Sequence, residues 1–252
     1  MTKVFVHGNP ETAAIWGPLT AALAERGVDD EIVTLSPPGF GAPTPDGWNP
    51  TPAAYVDWLA GELGPIDGPI DLVGHDWGAG HVFGLLAMET DLLRSWAADC
   101  AGLLHPDYVW HDMAQVWQTP DAGEEAVGAM AAMPSADRQA AYEGLGLPTE
   151  IATSLAEAFD AEMGRCILGL YRAARQPALA DLGRRIGGVA LPPGLVIDAA
   201  EDPYVSSELG ATMADRLDAE RVRLDGQGHW WMTQDPGPAA DGLVAFWSGL
   251  GS

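Results

Sequence analysis

Residues 74–80 read GHDWGAG, with Gly74 and Gly78 on either side of Asp76. An apolar run (Ile70, Leu72, Val73) leads into them, and a stretch with helical apolar spacing leads out. The outline is a nucleophile elbow, Gly-x-nucleophile-x-Gly, in which a strand turns sharply into a helix and lifts one side chain clear. The lifted position holds Asp76, where serine would serve acyl transfer. Taken alone, an aspartate before a helix is most simply a cap, so its meaning depends on the rest of the chain.

Working outward, apolar strands alternate with helices. Val4 to Val6, Glu31 to Leu35, Ile70 to Val73, Ser95 to Cys100, Gly194 to Ile197 and Arg221 to Leu224 read as strands. Helical spacing covers Ala13 to Arg26, Pro52 to Leu63, about Ala79 to Glu89, Ser206 to Leu217 and Pro238 to Trp247. This alternation predicts an α/β protein with a mostly parallel, doubly wound sheet. From about His105 to Leu191 no strand is evident; methionines, tryptophans and helical spacing (Ile151, Leu155, Phe159) predict a helical insertion. The expected organisation is therefore a core of residues 1–104 and 192–252 with a helical cap over 105–191. No internal repeat or low-complexity linker interrupts it.

Composition narrows the function. Thirty-six acidic against 12 basic residues give a formal charge of -24 over 252 residues. A nucleic-acid binder needs a basic footprint, an anionic membrane surface would repel the chain, and anionic substrates are disfavoured. Cys100 and Cys166 match no metal or redox spacing and are expected as buried thiols. The start, MTKVFVHGNP, lacks the form of a secretory signal, and no apolar stretch is long enough to span a bilayer, so a cytoplasmic protein is expected.

Ligands of an open parallel sheet sit beyond the carboxyl ends of its strands. Polar residues ending strands are His7-Gly8-Asn9-Pro10 after the first, Asp76 after the third, Asp202 after the fifth and His229 after the sixth. Asp, Asp, His in that order follows the nucleophile–acid–histidine order of one hydrolase class. With HGNP, GHDWG, EDP and GQGHWW, nearly the whole chain resembles the α/β-hydrolase superfamily, in its aspartate-nucleophile branch. The family's two leading strands are missing, since the oxyanion turn already begins at His7. The resemblance implies that Asp76 attacks an sp³ carbon, an ordinary aspartate (pKa near ~3.9) being already ionised at neutral pH. It implies further that His229, oriented by Asp202, activates water against the resulting ester, and that the Asn9 and Trp77 amides receive the oxyanion. Glu201 is the neighbouring rival to Asp202, which matches the family's Asp-Pro placement.

Two branches share this apparatus. Haloalkane dehalogenases need N–H donors for a departing halide, and Asn9 with Trp77 resembles such a cradle. At the end of the fourth strand, where one dehalogenase subgroup carries its acid, stand Asp99, expected to face away, and Cys100. Epoxide hydrolases need an acid for a departing alkoxide. HGNPE and GQGHWW resemble their motifs, and LGLYRAA at 168–174 resembles the cap motif that supplies the ring-protonating tyrosine, here Tyr171. The region of the second cap tyrosine resembles AQVWQTPD but has Met113 or its neighbours; Tyr108, Tyr142, Trp110 or Trp117 could stand in, although an indole cannot deliver a proton. His111 is expected at the surface.

The expectation is an epoxide hydrolase that opens an apolar or aromatic epoxide to a vicinal diol through an aspartyl ester. The alternatives are a haloalkane dehalogenase and a non-catalytic ligand-binding protein on the same scaffold. Trp110, Trp117, Tyr108, His111 and Trp230 are expected around the pocket. No cofactor or metal is implied, and the partners are a small neutral substrate and water, in a monomer or homodimer.

Overall fold

A computed structural model of the chain describes residues 1–251. Six strands form one sheet: β1 (Thr2–Val6), β2 (Glu31–Leu35), β3 (Ile70–Gly74), β4 (Leu93–Ala98), β5 (Gly194–Ala199) and β6 (Glu220–Leu224). All pairings are parallel, in the order β2-β1-β3-β4-β5-β6. The order reverses at β1, whose two neighbours β2 and β3 lie on opposite sides. A crevice is expected at the carboxyl end of such a switch point.

Alternation along the strands supplies the two faces. Val4, Val6, Leu72, Ala98 and Val196 turn toward α2 (Pro52–Leu63), α3 (Trp77–Leu86) and α10 (Ser207–Arg216). Phe5, Val73, Ala97, Leu195 and Ile197 turn toward α1 (Gly17–Glu25) and α12 (Pro236–Gly249). Near-continuous apolar strands follow from burial on both faces. Between β4 and β5 lie six helices: α4 (Asp112–Gln118), α5 (Ala122–Ala132), α6 (Ser135–Gly144), α7 (Thr149–Ala158), α8 (Ala161–Ala173) and α9 (Ala178–Ile186). Aromatic residues of this segment, Trp110, Trp117, Phe159 and Tyr171, pack with Trp77 in a third apolar cluster.

Several boundaries differ from the sequence reading. The segment after Thr12 is a 3-10 turn (Ala13–Trp16) joined to α1, because Pro18 stands in the first turn of α1 and has no N–H to extend one continuous ladder. The helix after the elbow begins at Trp77, two residues earlier than its apolar spacing suggests. β4 ends at Ala98, where its ladder with β3 closes at Gly74. Cys100 beyond it is left-handed, with φ 51°. A short α11 (Trp231–Gln234) also follows His229.

Candidate active site

Register places the site. Val6 pairs with Gly74 and Gly74 with Ala98, so β1, β3 and β4 end level. The His75 N–H donates to the Val6 carbonyl at 3.0 Å, carrying the β1–β3 ladder one step into the turn. Asp76 follows with φ 51° and ψ -119°, a conformation that costs energy for any residue with a Cβ and is found where a site holds it. It stands at the cap position of α3 but makes no side-chain cap hydrogen bond. The turn closes because Gly78 is bare: a Cβ there would lie 2.2 Å from the Val6 carbonyl oxygen.

The Asp76 carboxylate instead accepts the Asn9 backbone N–H at 3.0 Å. A Cβ on Gly8 would fall 2.2 Å from Asp76 Oδ2 and 2.6 Å from the Trp77 nitrogen, so only a glycine lets this loop approach the elbow so closely. His229 brings Nε2 to 4.0 Å from Asp76 Oδ1, and its Nδ1 lies 2.9 Å from Asp202 Oδ2. Asp202 Oδ1 accepts the N–H groups of Tyr204 (2.7 Å) and Val205 (3.3 Å), which fixes its orientation. Glu201 is exposed and points elsewhere, lining a polar surface recess. Asp76, His229 and Asp202 are thus brought together as expected.

Electrostatics correct one expectation. Burial raises the Asp76 pKa to about 6; His229 opposes the rise and Glu11 adds to it. The carboxylate is therefore not an ordinary one. Burial would lower His229, but the Asp202 carboxylate outweighs it and the net direction is upward, with Asp76 contributing. Burial would raise Asp202, and the His229 charge brings it down.

Beneath the elbow lies a cluster that the sequence reading missed. His75 is fully buried, with Nδ1 2.5 Å from Asp99 Oδ2 and Nε2 3.1 Å from Glu11 Oε1. Burial disfavours its charge, yet the two carboxylates overrule that and hold it well above the usual imidazole range, as an imidazolium. Burial would raise Glu11 too, but His75 brings it down to about 2, and Asp99 is lowered in the same way. Glu11 accepts the Gly8 N–H (3.1 Å) and the Trp230 indole N–H (2.6 Å). Asp99 accepts the Asp76 N–H (2.9 Å) and the Trp231 indole N–H (2.8 Å). Asp99 thus spends its carboxylate on holding His75 and the elbow. The signal was available: Glu11, His75 and Asp99 are polar residues just beyond the ends of buried strands.

Above Asp76 opens a cavity of about 310 Å³ with an apolar lining. Tyr108, Trp110, His111, Trp117, Tyr171 and Trp230 all border it. Tyr171 is buried, packed edge-on against Trp77 with ring centroids 5.3 Å apart. Burial first, and then the Asp76 charge, push its phenol well above the usual range. Tyr108 shifts upward by burial and by the charges of Cys100 and Asp76, and its buried hydroxyl has no hydrogen-bond partner. Tyr142 donates to the Pro10 carbonyl (3.2 Å) and the Trp110 indole to that of Ala174 (3.3 Å), whereas Tyr108 keeps an unpartnered hydroxyl and Tyr204 is a further phenol on the cavity. The Asn9 side-chain amide and the Trp117 indole N–H are also buried without partners. Trp230 borders the cavity but spends its N–H on Glu11. His111 is not a surface residue: it caps α4 by accepting the Ala114 N–H at 3.3 Å and stacks near Tyr204, half-buried.

The sequence pattern of the alpha/beta hydrolase family matches residues 4–241. The chain is an alpha/beta hydrolase. Solved structures agree with the fold of this hydrolase. E-2-(acetamidomethylene)succinate hydrolase superposes with a TM-score of 0.73 at 21% identity, covering 98% of this chain and 91% of that one. Haloalkane dehalogenase DbeA from Bradyrhizobium elkani USDA94 gives 0.72 at 20%, covering 99% and 90%. A lipase-esterase related protein from Clostridium acetobutylicum ATCC 824 gives 0.69 at 16%, covering 97% and 93%. Among curated proteins, none matches the hydrolase sequence at a significant level. No described helix is long and apolar enough to cross a membrane.

Proposed function

We propose that this hydrolase opens an apolar or aromatic epoxide to a vicinal diol through an ester on Asp76. The observation that carries the reading is the pairing, on one cavity, of an aspartate at the elbow with a buried phenol, Tyr171. An epoxide oxygen leaves as a strong base and needs a proton donor; a neutral phenol supplies one. Tyr108, with its unpartnered hydroxyl on the same cavity, is the second donor to that oxygen.

In the first step an Asp76 oxygen attacks one epoxide carbon, that C–O bond breaks, and Tyr171 delivers its proton to the oxygen. Ester formation removes the Asp76 charge, one of the influences that raise the His229 pKa. The His229 pKa falls with that charge, so the neutral imidazole is more readily available when water has to be activated. Its Nε2 takes a proton from water, the hydroxide attacks the Asp76 carbonyl carbon, and the Asn9 and Trp77 amides receive the oxyanion. Collapse expels the second alkoxide, which takes the proton from His229. The proton left on the new Asp76 carboxylic acid returns to the tyrosinate, so one epoxide and one water give one diol.

A single turnover of a styrene-type epoxide in heavy-oxygen water tests this: label belongs in the peptide holding Asp76, and label found only in the product overturns the ester. One observation favours a second reading. The unpartnered Asn9 amide, bordering the cavity beside Trp77, suits a departing halide, as in a haloalkane dehalogenase. Halide release from a terminal haloalkane without diol from the epoxide would select it, and neither product would favour a ligand-binding role.

A further inference from the structure

Cys100 has no part in the chemistry above, yet it stands at the end of β4 in a left-handed conformation that residues with a Cβ seldom adopt. Its Sγ lies 4.0 Å from Asp202 Oδ2, the same oxygen that faces His229 Nδ1 at 2.9 Å. One sulfur, one imidazole nitrogen and one carboxylate oxygen thus converge within 4.8 Å of one another, from the ends of three strands. All three side chains are shielded from solvent. Thiolate, imidazole and carboxylate are the donor set that zinc-type cations select.

We propose that Cys100, Asp202 and His229 form an inhibitory site for a thiophilic divalent cation of the zinc type. Binding releases one proton to solvent, from the Cys100 thiol. The His229 proton leaves Nδ1, whose lone pair the metal takes, and a proton occupies Nε2 instead. The metal, thiolate and carboxylate charges then cancel locally. Nε2–H faces Asp76 Oδ1, 4.0 Å away, and can no longer accept a proton from water. On the mechanism proposed above, on which this consequence rests, ester formation continues and its hydrolysis stops, so zinc traps the alkyl-enzyme.

The test uses the full chain freed of metal by a chelator, with cobalt(II) and zinc as probes. Cobalt gives a thiolate charge-transfer band in the wild type and none in Cys100→Ala or Cys100→Ser. Zinc lowers wild-type turnover by roughly 10²-fold or more, the weight of a general base, reversibly with chelator. Both variants keep their turnover within about twofold under the same zinc, because two ligands hold it poorly. Magnesium and calcium, which prefer all-oxygen sites, have no effect. Absence of the cobalt band, or equal zinc sensitivity in the variants, overturns the site. The band is read without any substrate: a band with no diol from any epoxide refutes the proposed activity and leaves the metal site standing.

Discussion

Replacing Asp76 with asparagine should stabilise the protein at neutral pH while abolishing turnover. Burial raises the folded-state pKa of this carboxyl from 3.8 to about 6; in the unfolded chain it returns to near ~3.9. The folded state therefore holds the proton more tightly than the unfolded one. The stability tied to that proton is complete below the unfolded value and is lost as pH rises through about 6. Two units at about 1.36 kcal/mol each make roughly 3 kcal/mol that the wild type forgoes at neutral pH. Asp76→Asn has nearly the same shape, can still accept the Asn9 N–H through its amide oxygen, and carries no charge. For a chain of this size roughly 3 kcal/mol corresponds to a Tm higher by about 6–12 °C. The assay is urea unfolding of both proteins at neutral pH and again well below the unfolded pKa, where the gap should close. Equal stabilities at neutral pH, or a more stable wild type, would refute the burial argument; a gap unchanged in acid would assign the effect to packing instead of charge.

On the proposed mechanism, the same carboxyl sets the pH dependence of the first step. Because only the anion attacks, the rapid-quench rate of ester formation should rise with pH, level off above about 6, and fall to about one-eleventh one unit below that midpoint; a rate flat through that range would contradict it. Tyr171→Phe should slow ester formation by roughly 10²-fold, the lower end for a lost general acid, because Tyr108 remains. Tyr108→Phe combined with Tyr171→Phe should slow it further, while the hydrolysis of preformed ester is spared in both; slower ester hydrolysis would argue against the acid role. Gly8→Ala forces a Cβ to 2.2 Å from Asp76 Oδ2 and must displace the segment carrying the Asn9 N–H. Single-turnover ester hydrolysis should then drop by about 10²–10³-fold, the usual cost of an oxyanion donor; normal hydrolysis would remove that amide from the mechanism.

The central strands β1, β3, β4 and β5 were legible because they are buried on both faces and so read as short apolar runs between turn residues. Asp76, Asp202 and His229 were legible because strand ends are where a parallel sheet collects its polar groups. Side-chain direction was not legible. Trp230 and Trp231 each spend an indole N–H on a carboxylate, Glu11 or Asp99, that lies 219 or 132 positions away. Periodicity carries no trace of such pairings. The Asp76 shift was hidden for a related reason: it depends on how much of the helical segment covers the carboxylate, and that cover is a tertiary property. His111 read as a surface residue because nothing in sequence marks a partner for its ring, whereas the ring packs on Tyr204 and caps a helix.

Four carboxylates, Glu11, Asp76, Asp99 and Asp202, and the two imidazoles of His75 and His229 share one buried region in a chain already far into negative charge. A buried carboxylate without a partner costs several kcal/mol, so the distribution of cations decides which of the four bear that cost. His75 lies between Glu11 and Asp99 and draws both below their usual values. Asp202 has His229 at 2.9 Å and two backbone donors, and it too is lowered. Asp76 alone is raised, with its nearest imidazole nitrogen 4.0 Å away and one hydrogen bond from Asn9. The lower three anchor backbone: Glu11 the Gly8 amide, Asp99 the Asp76 amide, Asp202 the turn before α10. A more basic carboxylate is also the better nucleophile toward carbon, so under-solvation and reactivity run in the same direction. Supporting groups are satisfied so that the elbow stays rigid, and the group proposed to form a bond with substrate is the one the fold leaves least satisfied.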